Sequence, residues 1–403
     1  MKLIFVNRYF HPDHSATSQL LGDLAFRLAR EGGRDVLVVT SRQRYDDPAE
    51  RLPARESMEG VDVHRVWTTR FGRGWLPGRA LDYLSFYAAA ALALWRLTGR
   101  GDTIVAKTDP PLISVVAGIV ARRRGAKLVN WVQDAFPEVA LALGVRVPFA
   151  GALRALRNRS MRAAEMNVVL GERMARWARA QGVPDERIAV IPNWADGDAI
   201  RPLAHAANPL RQAWGLEGKF VVAYSGNLGR AHEFATLLDA ADQLRDKPDV
   251  VFAFIGGGHQ HAALEAEARA RGLPNVRFVA YQPRALLCHS LGVADVHWVS
   301  LRPELEGLMV PSKIYGVLAA GRPAVMVGDP DGEIGRLLRR HDCGVTVPAG
   351  EGTKLAAAVL ELRQAPDFRE AMGFRARAAF EQNFAPAHAL GSWSRLLPRA
   401  GSE

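Results

Sequence analysis

The chain changes its hydrophobic period again and again. Short runs rich in Val, Ile and Leu fall at 2–9, 34–41, 61–68, 102–108, 126–133, 165–170 and 187–193. Several are apolar almost without interruption, the pattern of strands covered on both faces. Between them lie stretches with apolar residues every three or four positions: Thr17–Arg30, Leu81–Leu97, Leu112–Arg124 and Glu172–Gln181. Strands alternating with helices specify a parallel, doubly wound sheet. The plan then repeats, with strands at 220–226, 250–256, 276–282, 295–301 and 323–329. Helical patterns there cover His232–Arg245, Gln260–Arg271, Arg284–Val293, Lys313–Ala320 and Gly332–Arg340. Residues 195–211 follow neither period and mark the break. The class is therefore α/β, with two Rossmann-like domains in tandem. The length of 403 residues agrees, at about 100–200 residues per domain.

Composition narrows the field further. Only Cys288 and Cys343 are present, too few for a disulfide framework or a Cys-rich zinc site, and they read as fillers in a reducing compartment. The apolar run MKLIFV is too short for a signal-peptide core and reads as a first strand. No stretch reaches the ~20 apolar residues that span a bilayer. The net charge is +10, of which residues 1–200 carry +8. Arg122, Arg123, Arg124 and Lys127 form one cluster, and Arg154, Arg157, Arg159 and Arg162 another on an expected helix. Such a surface suits plain solvation, an anionic membrane or a phosphate-bearing substrate. No nucleic-acid-binding signature accompanies it, so no nucleic acid is expected.

Ligands of open α/β sheets sit at the C-terminal ends of strands, so the loops after strands carry the candidates. Gly226-Asn227-Leu228-Gly229-Arg230 joins a strand to a helix, and Gly256-Gly257-Gly258 repeats the pattern after the next strand. Glycines there admit a phosphate close to the backbone, and Arg230 adds a full charge. Neither segment is GxGxxG or a P-loop. Pro311-Ser312 precede a helix starting at Lys313. A lysine in a first turn opposes the helix dipole unless an anion is present, so Ser312, Lys313 and the free amides there suit a diphosphate. Asp134 follows the strand ending at 133 and suits either an acceptor hydroxyl or a turn cap. His11, Asp13 and His14 follow the first strand, with Ser15 at the next helix start. Asp196-Gly197-Asp198 has the letters of a metal-binding DxD but lies in the break, and reads as a loop.

PSKIYGVLAAGRP (311–323), preceded by Glu306-Gly307, resembles the donor-site motif of glycosyltransferase family 4. YSGNLG (224–229), FIGGG (254–258), GEIGRLL (332–338) and the opening FVNRYFHPDHSATSQLLGDL follow the family's order. WVQDAFPEVALALG (131–144) resembles the colanic-acid and O-antigen branch. The resemblance covers nearly the whole chain. It implies the GT-B fold, two Rossmann-like domains facing across a cleft. The acceptor domain would span 1–197, with 381–403 crossing back to it, and the donor domain 205–380. It implies a retaining transferase using a nucleoside-diphosphate sugar, UDP-linked, and a polyprenyl-diphosphate-linked saccharide acceptor, on the inner face of the plasma membrane. No cofactor and no metal are expected, because positive side chains neutralise the leaving group. The expected donor-binding residues are Gly226, Asn227, Gly229, Arg230, Gly257, Ser312, Lys313 and Ser15. Asp134 and Glu306 are the catalytic candidates.

The sequence departs from the family pattern in two places. Gly316 stands where a second glutamate is usual, and Asn227 where an arginine is usual, with Arg230 and His232 nearby as substitutes. The loss at Gly316 keeps a non-catalytic sugar-nucleotide binder open, and the two Rossmann-like domains keep open a UDP-sugar 2-epimerase. The segment RFGRGWLPGR (70–79), with Phe71, Trp75, Leu76 and nearby Phe86 and Tyr87, mixes arginines and aromatics as an anionic membrane surface would require.

Overall fold

A computed structural model of the chain describes residues 1–13, 15–44, 50–72 and 76–398. It contains two compact units, one formed by Met1–Pro192 with the segment from Leu390, the other by Asn193–Ala389.

The first unit is built on β1 (Lys2–Val6), β2 (Asp35–Ser41), β3 (Arg55–Met58), β4 (Val61–Val66), β5 (Thr103–Lys107), β6 (Lys127–Trp131), β7 (Met166–Val169) and β8 (Ile188–Val190). Their order is β3-β4-β2-β1-β5-β6-β7-β8. All neighbours run parallel except β3, which pairs antiparallel with β4. This corrects the expected all-parallel sheet. Glu59 and Gly60, both at positive φ, form the two-residue turn of that hairpin. The sequence hid β3 because RESM, on the sheet edge, alternates exposed and half-buried residues instead of forming an apolar run. β1 and β5 bury nearly every side chain, with Ile4, Phe5, Val6, Ile104 and Val105 fully buried. A helix at Leu76–Leu97, starting before the expected Leu81, and one at Ile113–Arg124 pack on this sheet through Phe86, Ala90, Leu94 and Ala117. Near the C-terminus, Trp393 is fully buried against Trp131 at 4.8 Å between rings. Arg34 donates to the carbonyls of Ser394 and Pro398.

The second unit holds β9 (Phe220–Ser225), β10 (Val250–Ile255), β11 (Val276–Val279), β12 (Val296–Ser300), β13 (Ala324–Val327) and β14 (Gly344–Val347). They form an all-parallel sheet in the order β11-β10-β9-β12-β13-β14. β14 is a further strand that the periodicity did not separate from its surroundings. An aromatic cluster underlies the sheet's centre. Tyr224, Phe234, Phe254 and Trp298 lie 5.2–6.3 Å apart, tilted or edge-to-face. Each such pair contributes about 0.5–1.5 kcal/mol beyond its buried area.

Strand order fixes where ligands go. In each sheet successive strands first run one way and then the other. The reversal falls between β1 and β5 in the first unit and between β9 and β12 in the second. At such switch points the loops diverge and leave a crevice at the strands' C-terminal ends.

Candidate functional site

In the second unit, β9 and β10 end at Ser225 and Ile255, and the glycine loops begin there. Gly226 and Gly256 both take φ values near +130. A Cβ on Gly256 would overlap the Gly226 carbonyl, so the two loops approach as only glycine permits. The approach is sealed by hydrogen bonds from Gly226 N to Ile255 O (2.8 Å) and Leu228 N to Gly257 O (2.7 Å). Two of the amides expected to face a diphosphate are thus already engaged. The Asn227 and Gly229 amides remain. Gly257 serves the loop through its carbonyl, which also accepts from Tyr281 Oη at 3.2 Å. Tyr224 Oη fastens Asn227 by donating to its carbonyl at 2.6 Å. Asn227 and Arg230 are exposed.

Lys313 opens the short helix Lys313–Ala319 and points back at this loop. Its Cε would lie 2.8 Å from a Cβ on Gly226, and its ammonium is 4.9 Å from the Tyr224 ring centre. Burial pushes its pKa down to about 8. Among the described residues no carboxylate comes within ion-pair distance of it. Its polar partner is His232 Nε2 at 2.9 Å. Ser312 is exposed and its side chain does not cap the helix, contrary to the expected Ser cap. The Ser312 and Lys313 amides, at a helix start, lack intrahelical acceptors. His232 corrects the expectation of a second cation. Burial first, then the Lys313 charge, hold its pKa down to about 3, and the ring is neutral.

Glu306 lies at another helix start. Its Oε1 accepts from Glu333 N at 2.7 Å, at the head of the helix Glu333–His341, where a carboxylate meets the positive end of the dipole. Asp196 Oδ1 accepts from the amides of Asp198 and Ala199, the turn chemistry expected of that loop. Among the described residues no three His, Cys, Asp or Glu side chains are grouped to hold a metal ion.

In the first unit the switch point is acidic and crowded. Arg8 N donates to Asp109 O at 2.7 Å, tying the loops after β1 and β5 together. Thr17 Oγ1 donates to the Asp109 carboxylate at 3.3 Å. Lys107, the last residue of β5, is fully buried. Its Nζ donates to Thr17 O at 2.8 Å and sits 3.7 Å from the Trp131 ring centre. Burial holds it well below the ordinary lysine value. Asp134 follows β6. Its side chain is exposed, while desolvation by the neighbouring protein, then the Asp109 charge, push its pKa up to about 6. It caps no helix: the next helix, Glu138–Ala142, is preceded by Pro137 and has no side-chain cap. Ser15 starts the helix Ala16–Arg30 with its amide on Asp13 Oδ1 (2.8 Å), while its buried hydroxyl has no partner. His14 lies outside the described residues.

Sequence reasoning missed Lys107, Asp109 and Tyr224. The signal was a lysine closing an otherwise apolar strand, in KTDPP.

The basic and aromatic surface needs revision. Phe86 is fully buried, and Tyr87 donates its hydroxyl to Pro111 O, so neither faces outward. Phe71 is exposed. Trp75 lies outside the described residues, as does the side chain of Leu76. Along the Leu76–Leu97 helix, Leu81, Leu84, Leu92 and Trp95 are exposed instead. Arg157 is buried, holding Glu138 by two 2.8 Å bonds and lying over Trp177. Arg122, Arg123, Arg159 and Arg162 remain exposed. No helix of the described residues is long and apolar enough to cross a membrane.

Comparison with known proteins agrees with this architecture. Residues 17–194 match the glycosyl transferase 4-like domain, and residues 219–365 the glycosyl transferases group 1 domain. The chain is 30% identical to a putative colanic acid biosynthesis glycosyl transferase, WcaI, of Escherichia coli, over 91% of this chain and 92% of the relative. It is 28% identical to a probable glycosyltransferase, WbjE, of Pseudomonas aeruginosa, over 95% and 94%. The crystal structure of Anabaena HepE in complex with UDP superposes with a TM-score of 0.73, at 16% identity, over 98% of this chain and 99% of that one. With both domain models matched in order along one chain and a full-length relative at this identity, the chain belongs to the family 4 glycosyltransferases and has the GT-B fold.

Proposed function

We propose that the enzyme moves a sugar, with retention, from a UDP-sugar to a lipid-linked saccharide acceptor in surface-polysaccharide synthesis. The observation that carries the reading is Lys313: a half-buried ammonium with no counter-ion among the described residues, at a sheet switch point, beside the unengaged amides of Asn227, Gly229 and Ser312. That set suits a diphosphate. UDP is the nucleotide chosen because HepE, of the same fold, binds it; the colanic acid role in the name of one relative supports the polysaccharide setting.

In this reading the bond from the sugar's anomeric carbon to the diphosphate breaks, and charge builds on the leaving oxygen. Lys313, Arg230 and the loop amides meet that charge, with most effect when it is fully developed. The new bond forms to an acceptor hydroxyl, whose proton passes to Asp134. With a pKa of about 6, Asp134 is mostly carboxylate at neutral pH and close enough to it to act as a base. Glu306 acts through the helix it caps. Because side chains do the neutralising, full activity is expected in EDTA. The exposed apolar stripe on the 76–97 helix and the arginines at 122, 123, 159 and 162 suit an anionic inner membrane face.

The test is thermal-shift screening against UDP, GDP, ADP and TDP and their sugar conjugates without metal. A ligand that binds only the folded state raises the melting temperature. A shift with UDP that disappears in Lys313→Ala supports the reading. Folded protein that responds to none of them overturns it, and turnover of a UDP-sugar without acceptor would favour the epimerase.

A further inference from the structure

Lys313 is held by contacts that leave it little freedom. Its stem runs against Gly226, its ammonium faces the Tyr224 ring, and among the described residues its hydrogen-bonded side-chain partner is His232. His232 is 8% exposed, and its Nδ1 lies 2.6 Å from the Ser300 carbonyl oxygen. A carbonyl only accepts, so Nδ1 carries the ring proton and Nε2 keeps a lone pair. That lone pair accepts from Lys313. The groups facing the ammonium are therefore one imidazole, on the loop after β9, and one phenol, on β9. The Tyr224 hydroxyl is turned to Asn227 O, and burial holds it protonated. A carboxylate in place of the imidazole would aim the lysine equally well, but would neutralise it and repel a diphosphate.

We propose that His232 is the positioning residue of the donor site: a neutral imidazole that aims the Lys313 ammonium at the 226–229 loop while leaving its charge for the diphosphate, so that donor binding is coupled to proton uptake. The proposal rests on the donor-site reading above. With Lys313 at about 8, close to half of the ligand-free protein has this lysine neutral at pH 8. A diphosphate beside it favours the charged form, and the proton comes from the buffer. UDP itself is fully ionised there, with a last phosphate pKa of about 6, and contributes no proton.

The experiment is calorimetric titration of the whole protein with UDP at pH 8, without metal, in two buffers of different ionisation enthalpy. The wild type should take up about half a proton per UDP bound. His232→Leu, with its folding checked by ligand-free melting, should weaken UDP about tenfold, the loss of one charge-assisted contact. His232→Gln keeps an acceptor for the ammonium and should stay within about threefold of wild type. In a Lys313→Met background, His232→Leu should cost nothing further, because a residue acting through another shows full coupling. An equal loss in both backgrounds, or a Gln variant as weak as Leu, overturns the positioning role. UDP binding without proton uptake overturns the coupling. The donor reading fails separately, by wild type that does not bind UDP or a Lys313→Met variant that binds it as well as wild type.

Discussion

The two units place opposite chemistry at the same topological position. Both sheets reverse direction once, and both gather polar residues at the reversal. In the second unit the result is cationic: Lys313, with no carboxylate in ion-pair reach among the described residues, kept company by a neutral histidine. In the first it is anionic: Asp109 and a raised Asp134, while the lysine present, Lys107, is buried and held below its ordinary value. A shared fold thus sets where chemistry occurs and says nothing about its sign. The sign follows from which side chains the strand ends carry. In the proposed reaction that sign would assign the leaving group to the cationic unit and the acceptor hydroxyl to the anionic one.

That division can be broken experimentally. The largest effect is expected from Asp134→Asn, a loss of about 10²–10⁴ in kcat with UDP affinity unchanged by calorimetry. A matching loss of UDP affinity would mean that the units do not separate the two roles. Lys313→Met should lower kcat/KM by about 10²–10³ and weaken UDP binding while leaving it measurable by calorimetry. It should also raise the ligand-free melting temperature, by removing a half-buried charge without a counter-ion that costs about 1–3 kcal/mol. The sign follows from linkage. A lysine lowered to about 8 from 10.5 leaves the unfolded chain binding more protons between those values, so wild-type stability rises with pH there and the variant's does not.

Acid should distinguish the units next. His205, His232 and His297 belong to the second unit and are pushed down to about 4, 3 and 4, chiefly by burial. Unfolded histidines titrate near 6.5, so the unfolded state gains protons first as pH falls. The second unit should lose stability from about pH 6.5 down to pH 4. In calorimetric scans its transition should move to lower temperature faster than that of the first unit; parallel movement would remove this contrast. The smallest effect is expected from Glu306→Gln. Loss of a charged helix cap costs about 0.5–2 kcal/mol of stability, with kcat within a few-fold of wild type. A fall in kcat of a hundredfold or more at unchanged melting temperature would instead give Glu306 a direct part in the chemistry.

The legible parts of the molecule were those written in local pattern. VVFAFI declares a buried strand because each residue must face apolar cover, and β10 is buried throughout. β3 was not legible: at a sheet edge half its side chains face water, so RESM shows no apolar run. The Lys313 motif was visible because a lysine in a first helical turn is out of place without an anion. His232 was visible as a residue but not as a role, since neutrality depends on Ser300 and Lys313, 68 and 81 positions away.

By itself, then, the sequence determined two doubly wound sheets, because these depend on periodicity and on residues close in the chain. Tertiary structure alone decided which groups are charged and which amides are open. Gly226 and Leu228 looked available and are bonded to Ile255 and Gly257. Phe86 looked available for a surface and is core. Charge and hydrogen-bond availability depend on hydration and on distant partners, and both are set only when the chain has packed.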